Sequence, residues 1–207
     1  MLDQILAIIS PHNCKGCGET GSLLCGRCIF NITENKINST QKKVYSVGGR
    51  KGVLKQLTDD YKFSSERAAA EVLATLLDRV LPELPLETVI VPVPTASAHV
   101  RQYGFDHTRL LTHKLAKRRG LRHDSLLART NNQAQHFLRR VEREKAAQNA
   151  FRLKTGVKVP PDILLIDDIV TTGATLRAAR KLLRSAGAKN IKIAVIADAR
   201  TDPDQAV

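Results

Sequence analysis

The sequence predicts an α/β fold in which helices flank a mainly parallel β-sheet, with a small four-cysteine element near the N-terminus. Segments with strand character alternate along the chain with segments of helical periodicity, which is the pattern of a parallel sheet. Hydrophobic residues make up 43% of the 207 residues but aromatic residues only 4%, so we expect a core of Leu, Ile, Val and Ala. All four cysteines fall between positions 14 and 28, in two C-x-x-C pairs.

The predicted strands are short runs rich in β-branched residues, most of them bounded by Gly or Pro. They are VYSV (44–47), TVIVPV (88–93), SLLAR (125–129), DILLIDD (162–168) and IKIAVIA (191–197). The longest apolar runs suit strands that are buried on both faces of a parallel sheet.

Helices are predicted where apolar residues recur every three or four positions. They cover 2–9, 51–62, a segment up to 80 that Ser65 caps, 106–119 with Asp106 as its N-cap, and 174–186. Gly120 and Gly187 stand where helices commonly end in a left-handed residue. The polar stretch 130–150 has no firm period, and we expect a mobile loop or a partly formed helix there.

The chain is long enough for one well-cored domain and a small appendage. We place the boundary in the polar connector NITENKINSTQKK, so that residues 1–43 hold an N-terminal helix and the cysteine element and 44–207 form the α/β domain. No apolar run reaches the roughly 18 residues that span a bilayer, and the opening residues lack the basic start of a signal peptide. We therefore expect a cytoplasmic protein without membrane insertion.

Positive charge is concentrated in one part of the chain. The formal net charge is +13, and residues 97–154 alone carry 14 Lys or Arg against 4 Asp or Glu. Such a field favours a polyanionic partner such as nucleic acid, or a phosphorylated small ligand. A solvated basic surface without a specific partner is an equally good interpretation of charge alone.

The cysteine pattern C-x₂-C-x₇-C-x₂-C predicts a structural metal site. Cys14, Cys17, Cys25 and Cys28 supply four thiolates, enough to close a tetrahedral Zn²⁺ with no open position for catalysis. Glycines at 16, 18 and 26 permit the tight turns of such knuckles. In a cytoplasmic protein, metal binding is favoured over disulfides, and redox-active or unliganded cysteine pairs are the alternative.

Two adjacent carboxylates and a turn of small residues follow the buried run ILLI at 163–166. Asp167 and Asp168 lie at the carboxyl end of a predicted parallel strand, where ligands bind in open α/β sheets. The turn TTGAT (171–175) opens a helix, so its N–H groups and Thr hydroxyls suit a phosphate. The combination predicts a ribose 5-phosphate site with a divalent cation nearby, and the alternative is an N-capped turn beside two solvated Asp residues.

The segment ILLIDDIVTTGAT resembles the phosphoribosyl pyrophosphate (PRPP) signature of type I phosphoribosyltransferases. The resemblance implies a five-stranded parallel sheet with a flexible hood. It also implies that the two Asp residues bind the ribose hydroxyls, that 171–175 hold the 5-phosphate, and that Mg²⁺ bridges pyrophosphate and ribose. The implied PRPP-binding residues are Asp167, Asp168, Val170, Thr171, Thr172, Gly173, Ala174 and Thr175.

Upstream, VPVPTASAHVRQYGFDHTRLL (91–111) resembles a narrower branch, the ComF competence family. Arg101, Gly104 and Phe105 match its Arg-x-Arg-Gly-Phe-Asn-Gln segment, whereas the family's second Arg, its Asn and its Gln are replaced by Tyr103, Asp106 and His107. Further residues fall at the family spacing, with Ala146 in place of an Asn: Gln135, Leu138, Arg140, Glu142, Arg143 and Phe151. Loss of the second Arg leaves Arg101 as the main candidate for pyrophosphate.

The ComF resemblance implies a four-cysteine zinc element and a role with single-stranded DNA during natural transformation, beside a DNA-import helicase. Within the basic stretch, Arg139, Arg140 and Arg143 are the nucleic-acid candidates. Three functions stay open: a PRPP-binding partner of single-stranded DNA, an active phosphoribosyltransferase acting on a base or amine, and a PRPP-responsive regulator of duplex DNA. No helix-turn-helix is evident, which disfavours the third, and no segment specifies an acceptor.

Other aromatic and titratable residues carry weaker predictions. The six histidines are scattered, and we expect surface or loop positions for them rather than catalytic roles. Tyr103 and Phe105 alternate with basic residues, which suits base stacking, but Phe105 is better interpreted as the hydrophobic anchor of the following helix.

Overall fold

The structure is a computed structural model that describes residues 12–34, 44–63, 67–130 and 150–201. Its centre is a five-stranded sheet in which all neighbouring strands run parallel, in the order β1-β7-β6-β2-β3. These strands are β1 (Tyr45–Gly48), β2 (Val89–Pro92), β3 (Arg122–His123), β6 (Asp162–Val170) and β7 (Asn190–Asp198). The predicted parallel sheet is therefore confirmed.

Helices connect the strands and cover both faces of the sheet. They are α1 (Gly26–Thr33), α2 (Gly52–Phe63), α3 (Ala69–Val80), α4 (Ser97–Tyr103), α5 (His107–Arg119) and α6 (Ala174–Ser185), with a 3₁₀ turn at Ala199–Thr201. The predicted helices at 51–62, 106–119 and 174–186 agree with α2, α5 and α6 to within a residue at each end.

The predicted strand at 125–129 forms outside the central sheet. Its ordered part, β4 (Leu127–Arg129), pairs antiparallel with β5 (Phe151–Leu153) in a separate two-stranded ladder. The outermost strand of the main sheet is the two-residue β3, which pairs with β2 through Val89 and Ile90. No sequence pattern predicted β3, β5 or the short helix α4. The two strands form by pairing with segments that are distant in sequence.

Alternate residues of β6 enter two separate hydrophobic clusters, one on each face of the sheet. Leu164 and Ile166 pack with α2, α3 and α5, whereas Ile163 and Leu165 pack with α6 and the β4–β5 ladder. All four side chains are at most 1% exposed. A strand with both faces buried must be apolar throughout, which is why ILLI lacks the alternation of a half-exposed strand.

The cysteine element packs directly on the α/β domain. Cys14, Leu23 and Leu24 are buried in the same cluster as the helices of that face. Lys15 Nζ also lies 2.7 Å from Asp60 Oδ2 on α2. The division of the chain at residues 43 and 44 stays a prediction, because 35–43 lie outside the described residues.

Helix ends follow the expected chemistry at α5. Asp106 Oδ1 accepts a hydrogen bond from Arg109 N at 2.9 Å, and Gly120 ends the helix with φ of 64°. Before α3, Ala68 occupies the N-cap position without a side-chain bond, and Ser65 lies outside the described residues. The predicted helix at 2–9, most of the stretch 130–150, and Arg139, Arg140 and Arg143 also lie outside them.

Candidate ligand-binding site at the carboxyl ends of the central strands

The carboxyl ends of β2 and β6 border a cavity of about 260 Å³. The two strands are direct neighbours in the parallel sheet, so their last residues meet at one edge, as expected for a ligand site in an open α/β fold. The polar lining comes from five parts of the chain: Lys62, Thr95, His99, His107, Thr108, Arg129, Asp167, Asp168 and Thr175. The cavity thus holds both predicted carboxylates and one residue of the predicted phosphate turn.

The two carboxylates are held by local backbone hydrogen bonds. Asp167 Oδ1 accepts from Asp168 N at 2.9 Å, and Asp168 Oδ1 accepts from Ile169 N at 2.6 Å. Part of the Asp167 residue is accessible, but its carboxyl lies among protein atoms. This burial, and next the charge of Asp168, raise the pKa of Asp167 to about 8, against the opposing effects of the Asp168 N–H, Lys62 and Arg129.

Lys62 forms an ion pair with the second carboxylate. Its Nζ lies 2.7 Å from Asp168 Oδ2, and the two side chains are only 21% and 16% exposed. Lys62 belongs to α2, which is separated from Asp168 by more than 100 residues of sequence. No local motif marks this lysine, so no pattern in the sequence predicted its place in the site.

The predicted phosphate turn has its glycine in the left-handed region. Gly173 has φ of 74° and precedes α6, and a Cβ at this position would lie 3.2 Å from Arg177 Nη1 and 3.6 Å from Arg200 Nη1. Ala174 N donates to Thr172 Oγ1 at 3.3 Å, and Arg177 Nη1 donates to the Thr172 carbonyl at 2.8 Å. The backbone of the turn therefore requires glycine.

Two arginines that were not predicted lie beside this turn. Arg177 comes from α6 itself, whereas Arg200 follows β7 and forms a bidentate ion pair with Asp198, at 2.6 and 2.8 Å. The strand-end rule that selected Asp167 and Asp168 also applies to β7, the neighbour of β6. Applied there, it would have selected Asp198 and the residues after it.

Arg101 lines a second cavity rather than the one that holds the carboxylates. This space of about 430 Å³ shares Pro94, Thr95 and Arg129 with the first cavity, and its other cationic side chains are Arg109 and Lys154. Arg129 Nε donates to the Pro94 carbonyl at 2.8 Å, so the wall between the two cavities is tied to the β4–β5 ladder. The two cavities are therefore neighbours.

His107 corrects the prediction that the histidines occupy surface or loop positions. It is 1% exposed, lines the first cavity, and packs against Phe105 and Tyr61 with ring centroids 4.3 and 5.3 Å apart. Its Nε2 is buried and has no hydrogen-bond partner among the described residues. Burial lowers the pKa of His107, which favours the neutral imidazole. Phe105 packs on the core cluster, as predicted for a hydrophobic anchor.

Part of the basic stretch is committed to structural ion pairs. Arg119 lies 2.6 Å from Asp78 and donates to the Pro82 carbonyl at 2.7 Å, while Arg118 pairs with Asp78 and Glu71. These contacts fix α5 to both ends of α3, since Glu71 lies in its first turn and Asp78 in its last. The positive charge of residues 97–154 is thus not all available to a partner.

The four cysteines form one compact cluster. Their Sγ atoms all lie within 4.8 Å of one another, and Cys17 Sγ and Cys25 Sγ are 3.7 Å apart. A tetrahedral zinc with Zn–S bonds of about 2.3 Å places its sulfurs about 3.8 Å apart. Gly16 makes this approach possible, because a Cβ there would lie 2.6 Å from Cys28 Sγ, whereas Gly26 contacts nothing that would exclude a side chain. The cluster can hold a metal ion.

The surroundings of two of the thiols shift their pKa in opposite directions. Burial alone would raise the pKa of Cys14, but hydrogen bonds from the backbone N–H groups of Cys25, Cys17 and Gly16 outweigh it and lower the pKa to about 6. Burial and then hydrogen bonds to the neighbouring cysteines raise the pKa of Cys28 to about 12. A bound divalent cation would remove the repulsion that keeps such a thiol protonated.

Comparison with known proteins identifies the family. A competence protein, ComFC of Streptococcus pneumoniae, is 29% identical to this chain over 191 residues, which are 92% of this chain and 82% of that protein. The DNA utilization protein YhgH of Salmonella typhi is 34% identical over 87% of this chain and 81% of that protein. Competence protein F of Haemophilus influenzae is 28% identical over 86% of this chain and 82% of that protein. The chain belongs to the ComF family.

The C-terminal part of this ComF-family chain also matches the phosphoribosyl transferase domain family, over residues 134–206. That region contains β6, the predicted phosphate turn, α6 and β7. Together with the parallel sheet order, this match confirms the predicted type I phosphoribosyltransferase-like fold. Among the described residues, no helix combines the length and apolar character needed to cross a membrane.

Solved structures also match parts of the chain. Glutamine PRPP amidotransferase from B. subtilis, complexed with ADP and GMP, aligns with a TM-score of 0.45 and 18% identity, over 62% of this chain and 26% of that one. APRTase from Giardia lamblia, complexed with 9-deazaadenine, aligns with a TM-score of 0.43 and 19% identity, over 65% of this chain and 69% of that one.

Proposed function

We propose that this ComF-family protein binds PRPP, or a related ribose 5-phosphate, in the cavity at the ends of β2 and β6. The observation that carries the proposal is the position of Asp167 and Asp168 in one cavity with Thr175 of the glycine turn. Carboxylates accept hydrogen bonds from sugar hydroxyls, and a turn at the start of a helix donates to a phosphate. A ribose that carries a 5-phosphate satisfies both groups at once.

The rest of the ligand would extend towards Arg101. The second cavity adjoins the first across Pro94 and Thr95, and its arginines suit a pyrophosphate. Mg²⁺ usually binds through substrate phosphates with few protein ligands, so we propose that it enters with PRPP.

The cysteine cluster would hold a structural Zn²⁺. Four thiolates leave no open coordination position, and the distances between the sulfurs suit a tetrahedral ion. The metal would supply folding energy to the N-terminal element, since this element contributes only a few residues to the core.

We further propose that the protein acts with single-stranded DNA during DNA uptake, in the cytoplasm and beside a DNA-import helicase. Relatives that match most of the chain are named competence and DNA utilization proteins. The surplus of positive charge in residues 97–154 supports a polyanionic partner. Arg139, Arg140 and Arg143 are the proposed DNA contacts.

Calorimetry with PRPP and Mg²⁺ tests the ligand. The double variant Asp167→Asn and Asp168→Asn should abolish binding and keep the fold. The matched control is Asp162→Asn, at the other end of the same strand, where the carboxylate accepts from Asn190 Nδ2 at 2.8 Å. Equal affinity in the wild type and the double variant would contradict the ribose assignment.

The DNA contact is tested by binding to a single-stranded oligonucleotide at several salt concentrations. Reversal of Arg139, Arg140 and Arg143 to Glu should weaken binding and reduce the slope of log K against log salt by about 0.7 for each phosphate that the variant no longer neutralises. The control reverses three basic residues of α6, Arg180, Lys181 and Arg184. If the control weakens binding as much, the DNA site is not at the three proposed arginines.

Phosphoribosyl transfer is the second candidate function. The cavity that holds Arg101 has about 430 Å³ beside the proposed ribose site, room in which an acceptor would lie next to PRPP. A transferase would release pyrophosphate when PRPP is supplied with a base or amine. A pyrophosphate assay across a panel of such acceptors decides between transfer and binding alone.

A further inference from the structure

The ion pair between Lys62 and Asp168 faces the cavity, which a purely structural ion pair does not need to do. Both side chains line the cavity that holds the proposed ribose site, and Nζ lies 2.7 Å from Oδ2. The pair Lys55–Asp59 on the same helix is different, since Lys55 is 54% exposed. The side chain of Lys62 is only 21% exposed, so most of its surface is in contact with the protein.

The residue before Lys62 anchors the turn of α2 that carries it. The preceding residue, Tyr61, is 1% exposed, and its hydroxyl donates to the His107 carbonyl at 2.7 Å. This bond ties the last turn of α2 to the start of α5. The ring of Tyr61 packs against Phe105, with centroids 5.6 Å apart. The lysine is therefore presented to the cavity by a rigid, buried support, as expected of a group that acts on a ligand.

The charges around the cavity explain what such a group would do. Acidic side chains repel an incoming phosphorylated ligand according to the negative charge they carry, and the usual remedy is a bound divalent cation. The raised pKa of Asp167 removes part of that charge near neutral pH. Here Lys62 already neutralises Asp168, and Arg129 lines the same space. The carboxylate end of the cavity thus contains its own cations.

We propose that Lys62 is an internal counter-cation of the Asp167–Asp168 pair, which lets this site bind the sugar of a ribose 5-phosphate without a divalent metal at the carboxylates. The inference rests on the proposed function and deepens it. It assigns Mg²⁺, where it is needed, to the pyrophosphate part of PRPP. Lys62 acts as a positioning residue, because it works through Asp168.

The test uses ribose 5-phosphate, which lacks the pyrophosphate and so isolates the carboxylate end of the site. Its dissociation constant is measured by calorimetry on the full chain, in EDTA and in Mg²⁺, for the wild type and for Lys62→Met, Lys62→Arg and Lys55→Met. The wild type and Lys55→Met should bind equally well, with less than about a tenfold gain from Mg²⁺. Lys62→Met should bind about tenfold or more weakly in EDTA and recover part of that loss in Mg²⁺.

Lys62→Arg keeps the charge and should stay closer to the wild type than Lys62→Met. Inorganic phosphate serves as the second probe. It should occupy only the turn at 171–175, so Lys62→Met should weaken its binding less than that of ribose 5-phosphate, which also contacts the Asp residues. A loss that is larger for ribose 5-phosphate and dependent on the metal is not expected from a general disturbance of the fold.

The outcomes separate the two ideas. Failure of the wild type to bind ribose 5-phosphate, with or without Mg²⁺, would overturn the proposed function. Wild-type binding that requires Mg²⁺ by about a hundredfold or more would overturn the counter-cation role alone, and this comparison holds even if Lys62→Met does not fold. The counter-cation role would also be overturned if a folded Lys62→Met bound ribose 5-phosphate as tightly as the wild type or more tightly. Tighter binding would mean that Lys62 blocks the site.

Discussion

Substitution of Gly16 by alanine should disrupt the metal site of the cysteine element. A Cβ at this position would lie 2.6 Å from Cys28 Sγ, and ordinary contacts begin near 3.4 Å, so the sulfur must retreat by about 0.8 Å. Metal–ligand distances tolerate only about 0.2 Å. If a structural zinc contributes about 10–16 kcal/mol, shared over four thiolates, loss of one ligand costs about 2.5–4 kcal/mol. That equals roughly a hundredfold to a thousandfold in zinc affinity.

The measurement is zinc retention against a chelator of known affinity, followed by elemental analysis. Gly26→Ala is the matched control, because Gly26 lies in the second knuckle, opens α1 and has no neighbouring atom within 4 Å of the position that a Cβ would take. Gly26→Ala should retain zinc as the wild type does. If Gly16→Ala retains it equally well, the close approach of Cys28 is not needed for the site, and the reasoning from its geometry is wrong.

Three other changes give distinct expected results. Asp167→Asn should alter the pH dependence of stability. Because its pKa is raised, Asp167 keeps a proton in the folded protein that the unfolded chain loses above about pH 4, so the wild type should lose stability relative to the variant as pH rises towards 8. Melting temperatures that change in parallel between pH 4 and 8 would contradict this. Asp106→Ala removes the N-cap of α5 and the hydrogen bond that Thr95 Oγ1 donates to Asp106 at 2.9 Å. It should lower the free energy of unfolding by about 1–2 kcal/mol, measured by urea denaturation. An unchanged value would show that the cap is dispensable. Tyr61→Phe leaves the buried His107 carbonyl without its donor and should cost about 1–3 kcal/mol in the same assay; a neutral result would mean that water replaces the hydroxyl.

The sheet could be predicted because each central strand has its own local pattern. The run at 163–166 is apolar on both faces, and the structure places its alternate residues in two different clusters. In contrast, β3 is a two-residue strand with the polar sequence Arg122–His123, which is ordered by pairing with β2. Its strand character depends on the partner, so no window of the sequence around it contains the signal.

The residues of the candidate site likewise divide into those placed by a local sequence pattern and those placed by long-range packing. Asp167, Asp168 and the turn after them are consecutive, and their positions follow from one strand end and one helix start. Thr95 follows β2 in the same way and was accessible to the same rule. Lys62 reaches Asp168 only because α2 packs over the sheet, and long-range packing of this kind leaves no spacing that a sequence pattern detects.

His107 shows where the sequence held more information than its apolar pattern alone revealed. The helix start at Asp106 was predicted, and the buried face of α5 is His107, Thr108, Leu111, Thr112, Leu115 and Ala116. Projection of the face backwards by one turn from Leu111 reaches His107 and Thr108, so their burial follows from helical periodicity once the helix start is known. A polar residue on a buried helix face needs either a partner or a ligand, and His107 Nε2 has no partner among the described residues. Polar positions on a predicted buried face are therefore a better guide to the cavity than the count or the spacing of the histidines.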